Sequence, residues 1–316
     1  MNNSVSGNLR SRVAWMYYIE ELTQNQIAEQ LSIGRISVQR MLVEAKKRNE
    51  ISITVRSEVT DTIALERRVE SEFNLQRVIV VPLSKKSADP APVIGAALGR
   101  YISDFVGDGM SVGAGWGRTL RGSIDYTTGK ALKNFKVISM LGGIIEARRF
   151  NPAEFAWQLA ERFQGEGFLI PAPAIVDSTI TRDALIDNCG LDSIFDMARN
   201  VDIALLSVGG ADPTSTAYRV GYLNDKESSS LTQCGAVGDL LFHFYDINGE
   251  LVDHEINNRI VSVDLDALKK IPMRILASGG QNKLHAIYGA LALLKPEVLV
   301  TDEYTAKGII ALKQKI

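Results

Sequence analysis

Between Arg10 and Asn49 the apolar residues recur at helical spacing, broken near Leu22-Thr23 and again at Ser32-Ile33-Gly34. Residues 1–8 are polar and are expected to be disordered, whereas Ile51–Arg56 alternates and predicts a short strand. Thr60-Asp61 reads as an N-cap opening a charged helix through Phe73, expected to link two domains. From Arg77 onward short β-branched runs alternate with helical segments. Strands are expected at Val78–Val81, Met110–Gly113, Lys136–Met140, Ile203–Val208, Arg274–Ala277 and Val298–Thr301. Helices are expected at 92–105, 119–130, 153–164, 281–293 and 303–314. That alternation predicts an α/β fold with a mostly parallel, doubly wound sheet of Rossmann-like type. One antiparallel insertion is expected, where Leu240–Tyr245 and Glu250–Val252 flank an Asn248-Gly249 turn. The boundaries that follow are a helix-turn-helix domain over 1–56, a linker helix over 57–76 and an effector domain over 77–316.

The N-terminal pattern has the parts of a helix-turn-helix. Gln26–Leu31 supplies a first helix with small Ala28 at the crossing, Ser32-Ile33-Gly34 the turn, and Arg35 to about Arg48 the second helix. Val38, Met41, Leu42 and Ala45 share one face and are expected to pack inward. Arg35, Ile36, Ser37, Gln39 and Arg40 then point outward, and Arg and Gln are the side chains that read guanine and adenine edges in the major groove. An amphipathic hairpin with a solvated charged face is the competing interpretation. Ser32 stands where the turn favours Gly, and Gly34 where an N-cap favours Ser.

Charge sharpens this division. The chain of 316 residues is 46% hydrophobic and carries a formal charge of −2. Residues 1–56 hold eight Lys/Arg and five Glu, so a head of +3 sits on a body of −5. A small basic head on an acidic body suits a polyanion-binding module joined to something else. Cys189 and Cys234 form no framework, the three His suggest no metal site, and no cofactor is called for. No stretch reaches the roughly 20 apolar residues of a membrane span; no membrane partner and a cytoplasmic location are expected.

In an open α/β sheet, ligands bind beyond the carboxyl ends of the strands. Four such points carry glycines: Gly113 to Thr119 (Gly-Ala-Gly-Trp-Gly-Arg-Thr), Leu141-Gly142-Gly143, Val208-Gly209-Gly210, and Ser278-Gly279-Gly280 ahead of Lys283. Glycine admits close backbone approach, helix N-termini favour anions, and Arg118, Thr119 and Lys283 add charge and a hydroxyl. Each loop alone reads as a plain strand-to-helix turn; four together predict an anionic-ligand pocket. The spacing matches neither a P-loop nor a dinucleotide fingerprint. Asp177, Asp239 and Asp302 adjoin strand ends and could accept sugar hydroxyls, with helix capping the alternative for Asp177 and Asp302. Trp116 could stack on a ligand or plug the core. No base and acid pair stands out, and His285 reads as structural.

These segments resemble the SorC family of sugar-binding transcriptional regulators, the group that includes the DeoR-type deoxyribonucleoside regulator. The resemblance runs from about Arg10 to Leu312 and is carried by Thr23–Leu42, Val112–Leu120, Leu141–Gly143, Ile170–Ser178, Gly235–Asp239, Ala277–Lys283 and Thr301–Ala306. It implies an effector domain similar to sugar-phosphate isomerases and deaminases without their catalysis, and homo-oligomers, dimeric or tetrameric, on operator DNA. It implies that Gly115, Gly117, Arg118, Thr119 and Lys283 hold a phosphate, that Gly142 and Gly143 back the sugar, and that Asp239 binds hydroxyls. Family members often carry Asn-Ala-Asn where this chain has Asn151-Pro152-Ala153, which hints at an altered ligand such as a linear polyol phosphate. The rival from another class is a sugar-phosphate isomerase or deaminase with a helical extension. The outward Arg35, Gln39 and Arg40 set, which an isomerase does not need, separates the two.

Overall fold

The computed structural model describes residues 2–51, 60–143, 151–211, 215–219 and 221–315. The chain divides into two units, Met1–Glu58 and Val59–Ile316. The strand expected at Ile51–Arg56 lies largely outside the described residues.

The first unit is three helices: α1 (Asn2–Tyr18), α2 (Gln24–Gln30) and α3 (Arg35–Lys47). Residues 2–8, expected to be disordered, are the first turns of α1. α2 starts at a capping box, in which the Thr23 hydroxyl accepts the Gln26 N–H and the Gln26 side chain accepts the Thr23 N–H. Val13, Ala14, Met16, Ile27, Val38, Leu42 and Ala45 form its core, with Ala28 and Met41 packed against them. Ser32 takes φ of +51°, the left-handed region that makes Gly usual at this turn. Arg10 is drawn inward, its Nε donating to Glu50 at 2.7 Å.

The second unit holds helices α4 (Thr60–Phe73), α5 (Ala91–Phe105), α6 (Arg118–Ser123), α7 (Pro152–Arg162), α8 (Thr179–Asn188), α9 (Asp192–Arg199), α10 (Thr216–Arg219), α11 (Asp225–Gln233), α12 (Leu265–Leu268), α13 (Leu284–Leu294) and α14 (Glu303–Lys313). Its strands are β1 (Arg77–Val81), β2 (Ser111–Ala114), β3 (Lys136–Ser139), β4 (Glu166–Phe168), β5 (Ile203–Leu206), β6 (Val208–Gly210), β7 (Gly238–Leu240), β8 (His243–Tyr245), β9 (Met273–Ala277) and β10 (Val298–Asp302). Seven strands pair in parallel in the order β1-β10-β9-β5-β2-β3-β4. Alternate side chains of one strand enter different cores: Ile203 and Leu205 pack on one face of the sheet, Ala204 and Leu206 on the other. Both faces are therefore covered, as a parallel sheet requires. The expectation of a doubly wound α/β domain holds.

Three local expectations need correction. The strand expected over Ile203–Val208 breaks after Leu206, and Val208–Gly210 crosses into a separate antiparallel sheet, β6-β7-β8. Within that sheet the main turn is Leu241-Phe242, both with positive φ (52° and 67°), whereas Asn248-Gly249 closes a single bridge between Tyr245 and Leu251. The Asp239 carboxylate accepts the Phe242 N–H at 3.1 Å, and the Phe242 ring stacks on Trp116, so tertiary contacts hold a turn that residue type disfavours. The helix expected as a linker is instead an edge piece of the second unit. β1 is an edge strand, and its outward N–H groups at Val78 and Val80 are accepted by Glu70 (3.0 Å) and Glu66 (2.9 Å) of α4. Carboxylates thereby close an edge that would otherwise template further pairing. Burial pushes the Glu66 carboxyl up, and the Val80 N–H opposes that shift.

Glu66→Ala is expected to lower the stability of the full chain by about 1–3 kcal/mol, because it orphans the Val80 N–H. Glu66→Gln keeps an acceptor and should recover most of that loss. Urea unfolding that shows equal effects of the two substitutions would remove this capping role.

Candidate effector cleft and DNA-reading face

In the seven-stranded sheet the winding reverses between β2 and β5: later strands lie beyond β2 on one side and beyond β5 on the other. Loops leaving the carboxyl ends of these two strands diverge, and a crevice opens between them. A cleft of about 430 Å³ occupies this place. Its walls come from Lys86–Ala91 ahead of α5, Trp116–Thr119 after β2, Ser207–Gly210 after β5, Ser215 and Arg219, and Gly279–Lys283 after β9.

Each wall is fixed by backbone chemistry. The Gly115 N–H donates to the Leu205 carbonyl at 2.9 Å, and a Cβ there would stand 2.8 Å from that oxygen. Gly117 turns the chain with φ of +126° into α6. α6 is only six residues long, shorter than the helix expected at 119–130, and continues as a 3-10 turn through Tyr126. Its tail is clamped on α5, where Gly95 would bring a Cβ within 2.9 Å of the Gly122 backbone. After β9, the Gly280 N–H donates to Asp302 Oδ2 (3.0 Å) and Thr305 Oγ1 (2.8 Å). Asp302 also caps α14 by accepting the Tyr304 and Thr305 N–H groups, so it serves the loop and the helix together. The Lys283 ammonium donates to the Val208 carbonyl at 2.9 Å, tying the β9 loop to β6.

Of the residues expected at the effector site, Gly117, Arg118, Thr119 and Lys283 come together on the cleft wall. Gly115 lies beneath it, and Gly142 and Gly143 lie elsewhere, at the end of β3. There Gly142 would place a Cβ 2.5 Å from the Ala172 carbonyl, and the Gly143 N–H donates to that same oxygen at 2.8 Å. Asp239 is fully buried, its carboxylate pressed against Gly209, a residue of the cleft wall. Its Oδ2 accepts the Phe242 N–H, while Oδ1 has no hydrogen-bond partner among the described residues. Burial pushes this carboxyl up to about 6, against the pull of the Phe242 N–H and the Lys283 charge. Trp116 is both core and wall, stacked on Phe242 at 4.6 Å. Asp177 is not a cap, since Ser178 caps α8; His285 is exposed.

Sequence reading missed Lys86–Ala91, Ser207, Ser215, Arg219, Gln281 and Asn282. The Lys86–Ala91 segment follows β1 and obeys the same carboxyl-end rule, but it carries no glycine to mark it. Arg219 follows an antiparallel excursion that the pattern did not place. Among the described residues, four cations, Lys86, Arg118, Arg219 and Lys283, and one acid, Asp89, line the cleft. An acidic domain thus holds a locally positive pocket.

In the first unit, Arg35, Gln39 and Arg40 of α3 are exposed, Ser37 is partly so, and Ile36 is 82% exposed. Gly34 caps α3 without a side-chain acceptor.

A family model described as a sugar-binding domain matches residues 57–311. The chain is 31% identical to the deoxyribonucleoside regulator of Bacillus subtilis over 306 residues, covering 96% of this chain and 97% of that one. It is 25% identical to the erythritol catabolism regulatory protein EryD of Brucella abortus, covering 96% of each. Among solved structures, the full-length sorbitol operon regulator SorC of Klebsiella pneumoniae superposes with a TM-score of 0.75 at 24% identity, covering 96% of this chain and 98% of the other. These relatives are regulators, not enzymes, and the shared fold spans both units.

Asp239 sets a pH dependence. Its folded value lies above the ordinary 3.8, so its contribution to stability is complete below about pH 4 and is lost as pH rises through about 6. Asp239→Asn, which keeps an acceptor for the Phe242 N–H, is expected to raise stability at pH 7.5 by on the order of 2 kcal/mol and to flatten the curve between pH 4 and 7. Denaturant unfolding across that range, with an undiminished slope in the variant, would reject the assignment.

Proposed function

The chain belongs to the SorC/DeoR-type family of sugar-binding transcriptional regulators, and on that premise we propose that it controls operator binding in response to a phosphorylated sugar or polyol. The observation that carries this reading is the cleft at the strand-order reversal, which four cations and one acid line among the described residues. A neutral carbohydrate needs hydroxyl partners, not a cluster of ammonium and guanidinium groups. α6 is too short for its dipole to dominate, so Arg118 and Lys283 supply the charge, with Thr119 and the backbone around Gly117 and Gly280 at close range. Asp239 acts from behind Gly209 rather than by direct contact, and Gly115, Gly142 and Gly143 serve close backbone packing. The relatives' names set the carbohydrates to try: deoxyribose, erythritol and sorbitol.

On the DNA side, Arg35, Ile36, Ser37, Gln39 and Arg40 form the reading face of α3. One helix reads few base pairs, so paired half-sites and a homo-oligomer, a dimer or larger, complete the recognition unit.

Calorimetry with 2-deoxyribose, erythritol and sorbitol beside their terminal monophosphates tests the effector assignment. At least one phosphate is expected to bind well above its free sugar. Lys283→Ala should then lose on the order of 1.5–3 kcal/mol, roughly ten- to a hundredfold. Equal binding of sugar and phosphate, unaffected by the substitution, would overturn it. For the DNA face, Arg35→Ala and Arg40→Ala should each weaken operator binding by about 1–3 kcal/mol in gel-shift titrations. Unchanged affinity in both would remove these residues from the readout.

A further inference from the structure

The cleft already contains an anion of its own. Asp89 lines it, and its carboxylate is ion-paired with Arg118 through Oδ2 while Oδ1 accepts the Ala91 N–H at 3.2 Å. The carboxylate therefore sits between a guanidinium and the first turn of the 15-residue helix α5, an environment that suits a negative charge. Both side chains remain accessible, Arg118 at 41% and Asp89 at 53%. An ion pair this exposed is held weakly and exchanges readily.

The pair also joins distant parts of the fold. Asp89 belongs to the connection after β1, and Arg118 follows β2, yet β10, β9 and β5 lie between those two strands in the sheet. The segment 82–90 passes the carboxyl end of β10, where the Leu83 N–H donates to Glu303, and that of β9, where Pro90 lies near Gly280, to reach Arg118 as one wall of the cleft. Asp89 fastens it there.

We infer that Asp89 is an internal competitor for the anionic group of the effector. Resting on the phosphate reading above, the inference is that a ligand phosphate takes Arg118 from Asp89 and so unfastens segment 82–90 as it binds. Asp89 then sets a charge threshold: a ligand has to bring enough negative charge to displace a carboxylate already in place. Removing that carboxylate should tighten anion binding, whereas most substitutions at a binding wall weaken it.

The test uses the full chain and inorganic phosphate as the probe, titrated by thermal shift at constant ionic strength, with wild type, Asp89→Asn, Arg118→Ala, the double variant and Lys283→Ala. Asp89→Asn is expected to bind phosphate about three- to tenfold more tightly than wild type. In the Arg118→Ala background the same change should gain less than about twofold, because the competition is for that guanidinium. Hydrogen exchange across residues 84–91 should quicken when phosphate is added to wild type and already be fast in Asp89→Asn. If phosphate stabilises wild type and Lys283→Ala weakens that effect, but Asp89→Asn gains nothing, the competitor role is wrong and the phosphate reading stands. If phosphate stabilises neither wild type nor Asp89→Asn, the phosphate reading fails and takes the competitor with it.

Discussion

A sheet whose seven strands all run parallel sends every carboxyl end to one side, and a sheet whose order reverses between β2 and β5 leaves a gap in the middle of that side. The chain leaving β2 turns into α6 and the chain leaving β5 turns into β6, so neither covers the gap. Everything distinctive about the second unit follows from keeping that gap open and charged. Gly115 lets the β2 exit lie against Leu205, and Gly117 turns it sharply with positive φ, which keeps the wall thin. Cations from four separate segments then converge on a space that belongs to none of them alone.

Two buried carboxylates near this gap show how differently one residue type can be used. Asp302 accepts N–H groups from Tyr304, Thr305 and Gly280 and the Thr305 hydroxyl, so its charge is met from several directions. Asp239 accepts one N–H, and burial raises its pKa to about 6. The first is a joint between a helix and a loop. The second holds the Leu241-Phe242 turn in a left-handed conformation at an electrostatic cost, and through Phe242 it seats Trp116 in the cleft wall.

The sheet was largely legible because its strands are short, mostly apolar runs separated by helical patterns, and periodicity separates those. What escaped notice was short or lacked that contrast. β4 is three residues, Glu166-Gly167-Phe168, beside Gly165, with no run to detect. The Leu241-Phe242 turn is written in two apolar residues, and only the long-range contacts of Asp239 and Trp116 explain it. α4 carried the right period but its role was misread, because a glutamate that caps a strand edge looks in sequence like any solvated charge. Glycine marked the loops after β2, β5 and β9, which line the cleft, and also the loop after β3, which does not. There Gly142 answers to the Ala172 carbonyl and not to the cleft.

The first unit divides its basic charge in a comparable way. Arg10 is held against Glu50 and Arg48 pairs with Glu44 at the surface, and because each pair cancels one charge of each sign, the net +3 resides on the other residues of this unit. Arg12, Arg35, Arg40, Lys46 and Lys47 stay exposed. Gly34, a departure from the usual serine, leaves the first turn of α3 without a side-chain acceptor for its N–H groups. In an isolated helix that would be a small loss of stability. At the start of α3 it leaves N–H groups without a side-chain cap beside the exposed Arg35 and Ile36. Phosphate oxygens are acceptors for backbone N–H groups and a guanidinium alike, so the residue that weakens the cap is chemically consistent with the DNA-reading role proposed for this face.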